Sequence, residues 1–225
     1  MKDLGDIQYF LGLKVTRDQS CWIINLYQEL YIQNLLIDFG MEDCRPVSTP
    51  QVPSSRFAPI PTTSASINYQ RAMGLLNYLV SCTRLDVAYT ASCLAQFLNN
   101  PRKEHEMVFK NVLGYLKGTK IWGLSLVPSQ DNSIIKAYCD ADWGSNFDLQ
   151  SFSGSCVFLY GLISWKKLKK DIVTLSSTEA EYRSISTCCQ DVSWLFGLVS
   201  DFGLTLKARL FFEKHDQDRA IKELH

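Results

Sequence analysis

"YCDADWGSN", residues Tyr138 to Asn146, sets Asp140 and Asp142 two positions apart with no lysine or arginine in the stretch. The run leading into it, "IIKAYCDA", is rich in apolar, β-branched and aromatic residues and reads as a strand. Side chains alternate with period two along a strand, so both carboxylates fall on one face at its C-terminal end. An acidic pair in that position also serves as a turn or a cap. Its surroundings have to decide.

Downstream, "SGSCVFLY" and "LISWKKLK" read as two more strands, followed by a long helix from about Ser176 to Val199 and a further strand, "ARLFF". The helix carries apolar residues at Ile185, Cys188, Val192, Leu195 and Val199, the three- and four-residue steps of a helix face. One step back toward the N-terminus the same stripe reaches Glu181, which is expected to face the sheet. Glu179 lies about 200° around the helix from Glu181. With Ser176 as N-cap it fills the third position of a Ser-x-x-Glu capping box, and it can pair with Arg183 four residues on. Thr178 as the cap would instead make Glu181 the box residue. An inward-facing glutamate at a helix start, close to an aspartate at a strand end, is the arrangement a divalent cation requires. Oxygen-only ligands suit Mg2+ or Mn2+ rather than zinc.

Upstream, "DIQYFLGLKVTRDQSCWIINL" predicts a β-hairpin turning on "TRDQS", and "YQELYIQNLLIDFGM" predicts a helix stopped by Gly40. These form a first segment, residues 1–43. Residues 44–66, rich in Pro, Ser and Thr, read as an extended connector separating two packed units. Helical spacing resumes in "INYQRAMGLLNYLVSCT", "LDVAYTASCLAQFLNN" and "EHEMVFKNVLGYLKGT", a small bundle within residues 67–125. Strands dominate residues 132–225. The expected fold class is α+β.

The chain has 225 residues, 46% of them hydrophobic, enough for packed cores and most simply divided into two domains. Lys plus Arg and Asp plus Glu both number 23, so any nucleic-acid affinity has to come from local patches rather than net charge. Eight cysteines without Cys-x-x-Cys spacing read as free thiols in a reducing compartment, cytoplasmic or nuclear. No apolar run approaches the ~20 residues of a membrane span.

The segments "MKDLGDIQYFLG", "NYQRAMGLLNYLVSCTRLDVAYT", "VLGYLKGTKIWGL", "YCDADWG", "GLISWKK" and "LSSTEAEYRSIS" together closely resemble the Pol polyprotein of copia-type long-terminal-repeat retrotransposons. The resemblance runs in the family's order over about nine tenths of the chain. It implies that residues 1 to about 125 are the end of a reverse transcriptase, a primer-grip-like hairpin with thumb or connection helices. It further implies that residues from about 132 onward are a ribonuclease H domain, a mixed sheet with helices, here incomplete and C-terminally truncated.

By that resemblance the first catalytic aspartate is Asp140 and the catalytic glutamate is Glu181, in agreement with the stripe. A third acid falls on Asp216 in "DQDRAI", with Glu213 as the alternative, and a fourth is expected beyond His225. The implied activity is hydrolysis of the RNA strand of RNA/DNA hybrids with Mg2+ or Mn2+. The rival expectation is an inactive remnant that at most binds nucleic acid. The polymerase's Tyr-x-Asp-Asp would lie upstream, and with no Asp-Asp in the chain polymerase chemistry is not expected of it. Two departures point to decay: Arg84-Leu85-Asp86 where the family has Arg-Pro-Asp, and "LQSFSG" where it has Arg-Ser-Thr.

Other residues invite two readings each. Lys166, Lys167, Lys169 and Lys170 form a basic patch suited to phosphates, or a charged strand edge that discourages aggregation. Tyr9, Phe10 and Trp22 either flank a primer strand or pack the hairpin on its helix. His105 is expected at the surface, and Cys188 and Cys189 as buried thiols.

Overall fold

The computed structural model describes residues 5–51, 64–128, 134–142, 152–169, 176–212 and 220–224. It divides into two compact units, residues 1–20 with 24–125, and 126–225 with 21–23.

In the first unit the expected hairpin is β2 (Leu13–Asp18) and β3 (Ile23–Tyr27). The short β1 (Tyr9–Phe10) and β4 (Gly123–Leu126) extend it to a four-stranded sheet in the order β1-β2-β3-β4. The β1–β2 turn is the two-residue Leu11-Gly12, with φ of 48° and 75°. This is the left-handed pairing that matches strand twist. Leucine seldom adopts it, and here the Tyr78 hydroxyl donates to the Leu11 carbonyl.

Four helices follow: α1 (Glu29–Asp38), α2 (Tyr69–Cys82), α3 (Ala88–Ala95), entered through a 3-10 turn at Leu85–Val87, and α4 (Lys103–Gly118). Ile32, Leu35 and Leu36 of α1 are buried in one cluster with Met73 and Leu76 of α2 and Phe109, Val112 and Leu116 of α4. The helices on either side of the connector thus share a core, where a separation into two packed units was expected. The described ends of the connector lie against α4. The Val47 N–H donates to the Gly114 carbonyl, Lys117 Nζ to the Cys44 carbonyl (2.8 Å), and Asn111 Nδ2 to the Thr49 carbonyl (3.1 Å). A Cβ on Gly114 would stand 3.2 Å from the Arg45 carbonyl oxygen, so the missing side chain is what admits the strap.

Two buried polar groups tie this unit together. Arg84 is 1% exposed, and its guanidinium donates to both Asp86 oxygens (3.0 and 2.8 Å) and to the Thr119 carbonyl and hydroxyl. The Tyr115 hydroxyl also donates to Asp86. Burial would raise the Asp86 carboxyl, but the hydrogen bonds from Arg84 and Tyr115 and the guanidinium charge bring it below its usual value. Arg84 and Asp86 thus form an ion pair, and Leu85, where the family has proline, opens the 3-10 turn between them.

Glu106, with its side chain fully buried, accepts from Ser66 N–H and Oγ (both 2.8 Å) and pairs with Lys103 (3.0 Å) and Lys110 (2.8 Å). Burial pushes its carboxyl up, but these donors outweigh it and hold the group at about 2. His105, expected at the surface, is 2% exposed. It stacks on Phe97, and its Nδ1 accepts from the Arg102 N–H (3.0 Å), closing the start of α4.

The second unit is a five-stranded mixed sheet in the order β7-β6-β5-β8-β9: β5 (Ile134–Asp142), β6 (Phe152–Phe158), β7 (Leu162–Lys169), β8 (Lys207–Phe212) and β9 (Ala220–Leu224). β5 and β8 run parallel, and the other pairs are antiparallel. Residues 220–224 run antiparallel along β8, from Ala208↔Leu224 to Phe212↔Ala220, and form the edge strand on that side. Helix α5 (Ser177–Asp201) buries Cys188, Val192, Leu195 and Val199 against Ile135, Ala137, Cys139, Val157, Ala208 and Leu210.

Arg84→Ala leaves Asp86 and the Thr119 carbonyl without their donor; because Asp86 is partly solvated, a loss of about 2–3 kcal/mol is expected in urea unfolding. Glu106 has a depressed folded-state pKa, so its stabilisation is full above its ordinary carboxylate value of 4.5 and is lost as pH falls toward about 2. The gap in urea midpoint between the wild type and Glu106→Gln should accordingly be wide at pH 7 and shrink through that window.

Candidate functional site

The start of α5 follows from its first residues. Ser176 Oγ accepts from the Glu179 N–H (3.2 Å), and the Glu179 carboxylate is held by Arg183 at 2.9 and 3.0 Å. Glu179 therefore has the structural role its spacing predicts. The buried stripe on α5 is Ala180, Ser184, Cys188, Val192, Leu195 and Val199. It starts one residue off the expected line: Ser184 rather than Ile185 is buried, and Ala180 takes the deepest place in the first turn. Glu181 flanks it, half-buried.

Ser184 was not singled out from the sequence, where a serine in a helix looks like a surface residue. It is 2% exposed, and its hydroxyl donates to the Asp140 backbone carbonyl at 2.9 Å. One turn on, the Cys188 thiol meets that of Cys139 on β5, and Cys139 Sγ also contacts the Phe211 carbonyl (3.9 Å). The thiol–thiol hydrogen bond lowers Cys139 and raises Cys188, with burial adding to the rise. These contacts run α5 antiparallel to β5, with its N-terminal turns over the strand's C-terminal end. The signal available in the sequence was the alternation of small residues, Ala180, Ser184 and Cys188, at helical spacing.

β8 ends opposite Cys139, so Asp140 stands one residue beyond the last β5–β8 pair. Its side chain is exposed, and its Oδ1 accepts from the Ala141 N–H (2.8 Å). Cys139 faces α5, so period two turns the Asp140 side chain to the opposite face of the sheet, with Tyr138. Glu181 approaches the same strand end from the helix side. Neither carboxylate has an ion-pair partner among the described residues. No group of three or more potential metal ligands occurs among them either. Asp216 and Glu213 lie outside the described residues, and of Asp142 only the backbone is described.

The lysines of β7 do not act together. Lys166 faces α5 and is paired with Asp191, whose second oxygen is buried without a partner. Lys167 points to the other face, where its ammonium lies 5.2 Å from the centre of the Phe152 ring. The Lys169 side chain and all of Lys170 lie outside the described residues. Lys166 and Lys167 of the expected patch thus lie on opposite faces of the sheet. Tyr9 and Phe10 of the first unit are exposed, as is Trp22. Tyr9, Lys14 and Arg17 help to line a groove of about 550 Å³ along the hairpin. Among the described residues, no helix is long and apolar enough to cross a membrane.

No family model and no solved structure matches the chain. The chain is 36% identical over 217 residues to the retrovirus-related Pol polyprotein from transposon TNT 1-94 of Nicotiana tabacum. It is 36% identical over 210 residues to that from transposon RE1 of Arabidopsis thaliana. Each alignment covers 92% of this chain but only 16% and 14% of those polyproteins, so the chain spans about a sixth of their length. A third relative, an uncharacterised mitochondrial protein of Arabidopsis thaliana, is 33% identical over 198 residues, with 86% of this chain and 80% of that protein aligned. On these relationships the chain belongs to the retrovirus-related Pol polyproteins of copia-type transposons.

Proposed function

We propose that the second unit is a ribonuclease H-like domain that hydrolyses the RNA strand of RNA/DNA hybrids, and that the first unit is the hairpin-and-helix end of a reverse transcriptase. The observation that carries this reading is the division of labour at the start of α5. Glu179 is consumed by Arg183, while Asp140, whose backbone Ser184 holds at the end of β5, and Glu181, on the helix beside that strand end, have no ion-pair partner among the described residues. Carboxylates at this strand end offer all-oxygen donors, a set that fits Mg2+ or Mn2+.

In this reading Asp140 and Glu181 hold the ions, with Asp216 or Glu213 as the third ligand. When bound, such ions supply an activated water and stabilise the leaving oxygen of an in-line displacement. The chain's own contribution is placement. The Ser184 hydroxyl fixes the Asp140 backbone, the Ser176 cap and the Glu179–Arg183 pair fix the register of the first helical turns, and Lys167 offers a positive charge to phosphate on the face that Asp140 shares. The eight free cysteines support a reducing compartment, cytoplasm or nucleus.

Mn2+-dependent release of labelled RNA from a hybrid is the test. Asp140→Asn and Glu181→Gln should each abolish it, whereas Glu179→Gln should retain activity and lose only stability. Equal loss in all three variants, or release unaffected by Asp140→Asn, would overturn the assignment. Hybrid binding should weaken with salt as phosphate contacts release counterions. Lys167→Glu should reduce it more than Lys166→Glu, because Lys166 faces α5 and pairs with Asp191 whereas Lys167 lies on the face that carries Asp140.

A further inference from the structure

Beneath α5 two thiols that the hydrolytic reading does not use lie against each other. Cys139 sits on the middle strand β5 with its side chain toward the helix, and Cys188 lies in the buried stripe of α5. They are 49 positions apart in sequence. Only 6% and 0% of their surfaces are exposed, and the two thiols share a hydrogen bond. The backbone frame sets up this meeting. Ser184 Oγ, 2.9 Å from the Asp140 carbonyl, pins one turn of α5 to the residue after Cys139. The helix runs antiparallel to the strand, so its next turn sets Cys188 over Cys139.

The neighbouring cysteines are placed differently. Cys156 is opposite Tyr138 on β6, so it projects to the side of the sheet away from α5. Cys189 follows Cys188 about 100° around the helix, off the buried stripe. A disulfide needs two cysteines whose side chains point at each other across a short gap between backbones. The small residues at this contact, Ala137 on the strand and Ala180 and Ser184 on the helix, keep that gap short. Sulfur atoms already at hydrogen-bond distance have only about 1–2 Å left to close to reach the ~2 Å of a disulfide.

We propose that Cys139 and Cys188 form a reversible disulfide, driven by hydrogen peroxide, that staples α5 to β5 within the folded chain. Peroxide is small enough to enter where Cys139 retains its slight exposure. It transfers one oxygen to the Cys139 sulfur, giving a sulfenic acid and one water as the O–O bond breaks. The Cys188 sulfur then displaces the hydroxyl: the S–S bond forms, the Cys188 S–H proton leaves with the hydroxyl, and a second water is released. Two thiols are thereby oxidised by two electrons and one peroxide is reduced to two waters. A dithiol reductant reverses the bond by exchange. In a reducing compartment the thiols persist, and the staple closes only in an oxidising episode. The bond closes a long loop of chain and ties the helix to the strand, so openings that lift α5 from the sheet are suppressed. None of this depends on the hydrolytic reading.

The test treats the full, folded chain with hydrogen peroxide, blocks the remaining thiols by alkylation and digests with trypsin for mass spectrometry without reduction. The expected product joins the peptide Ala137–Lys166 to the peptide Ser184–Lys207, and dithiothreitol separates them. Each peptide carries a second cysteine, Cys156 and Cys189, so variants assign the bond. Cys156→Ala and Cys189→Ala should retain the cross-link, and Cys139→Ala and Cys188→Ala should lose it. Hydrogen exchange of the α5 amides should slow by about tenfold or more in the oxidised wild type and stay unchanged by peroxide in Cys139→Ala. A wild-type chain whose Cys139 and Cys188 both remain alkylatable after peroxide and subsequent unfolding overturns the staple. So does a cross-link that survives Cys188→Ala, or one that forms only when the chain is oxidised in urea. The wild-type result decides even where an alanine variant fails to fold.

Discussion

The second unit depends on one close contact, the helix α5 lying directly on the middle strand β5. It is possible because both surfaces are built of small side chains: Ala137 and Cys139 below, Ala180, Ser184 and Cys188 above. The closeness lets the Ser184 hydroxyl reach a backbone carbonyl. The hydroxyl thus supplies a donor to that carbonyl just beyond the last described β5–β8 pair. A leucine at position 184 would lift the helix, leave the carbonyl unpaired and move Glu181 away from the strand end. Secondary structure, packing and the candidate chemistry converge on a single serine.

The first unit solves a different problem. Its helices enclose an arginine and a glutamate, groups that are costly to bury. Each is satisfied by local partners and one distant one: Arg84 by Asp86 and the remote Thr119, Glu106 by Lys103, Lys110 and the remote Ser66. Such groups tolerate few alternative arrangements, because any misplaced segment strands a charge. They fix how the helices meet, whereas the apolar cluster supplies most of the driving force.

Much of this was legible from spacing alone. The strands at 134, 153, 162 and 208 and the helix from Ser176 emerged from periods of two and 3.6, which depend only on neighbours in sequence. So did the contrast between Glu179 and Glu181, since capping and i,i+4 pairing are local. What escaped was set by long-range contact. His105 looked polar and therefore exposed, until Phe97 and the Arg102 N–H enclosed it. The lysines of "WKKLKK" looked like one patch because a string of letters has no faces, whereas a strand has two. β4 and β9 are short and carry little pattern of their own, and each exists because a neighbouring edge offers partners. Ser184 was missed for the same reason, its partner being 44 residues away.

The strap over α4 has a kinetic meaning. Residues 44–51 reach the helix across sequence separations of 62 to 73 residues, through backbone carbonyls that accept from Asn111 and Lys117 and through the narrow place at Gly114. Closing so long a loop costs entropy and returns only a few hydrogen bonds. The strap therefore settles after the helices have packed and is the first part of the unit to open. In native-state hydrogen exchange the Val47 amide belongs to a shallow local opening, while the amides of Phe109 and Val112, beneath it in the same unit, exchange only when the cluster itself comes apart.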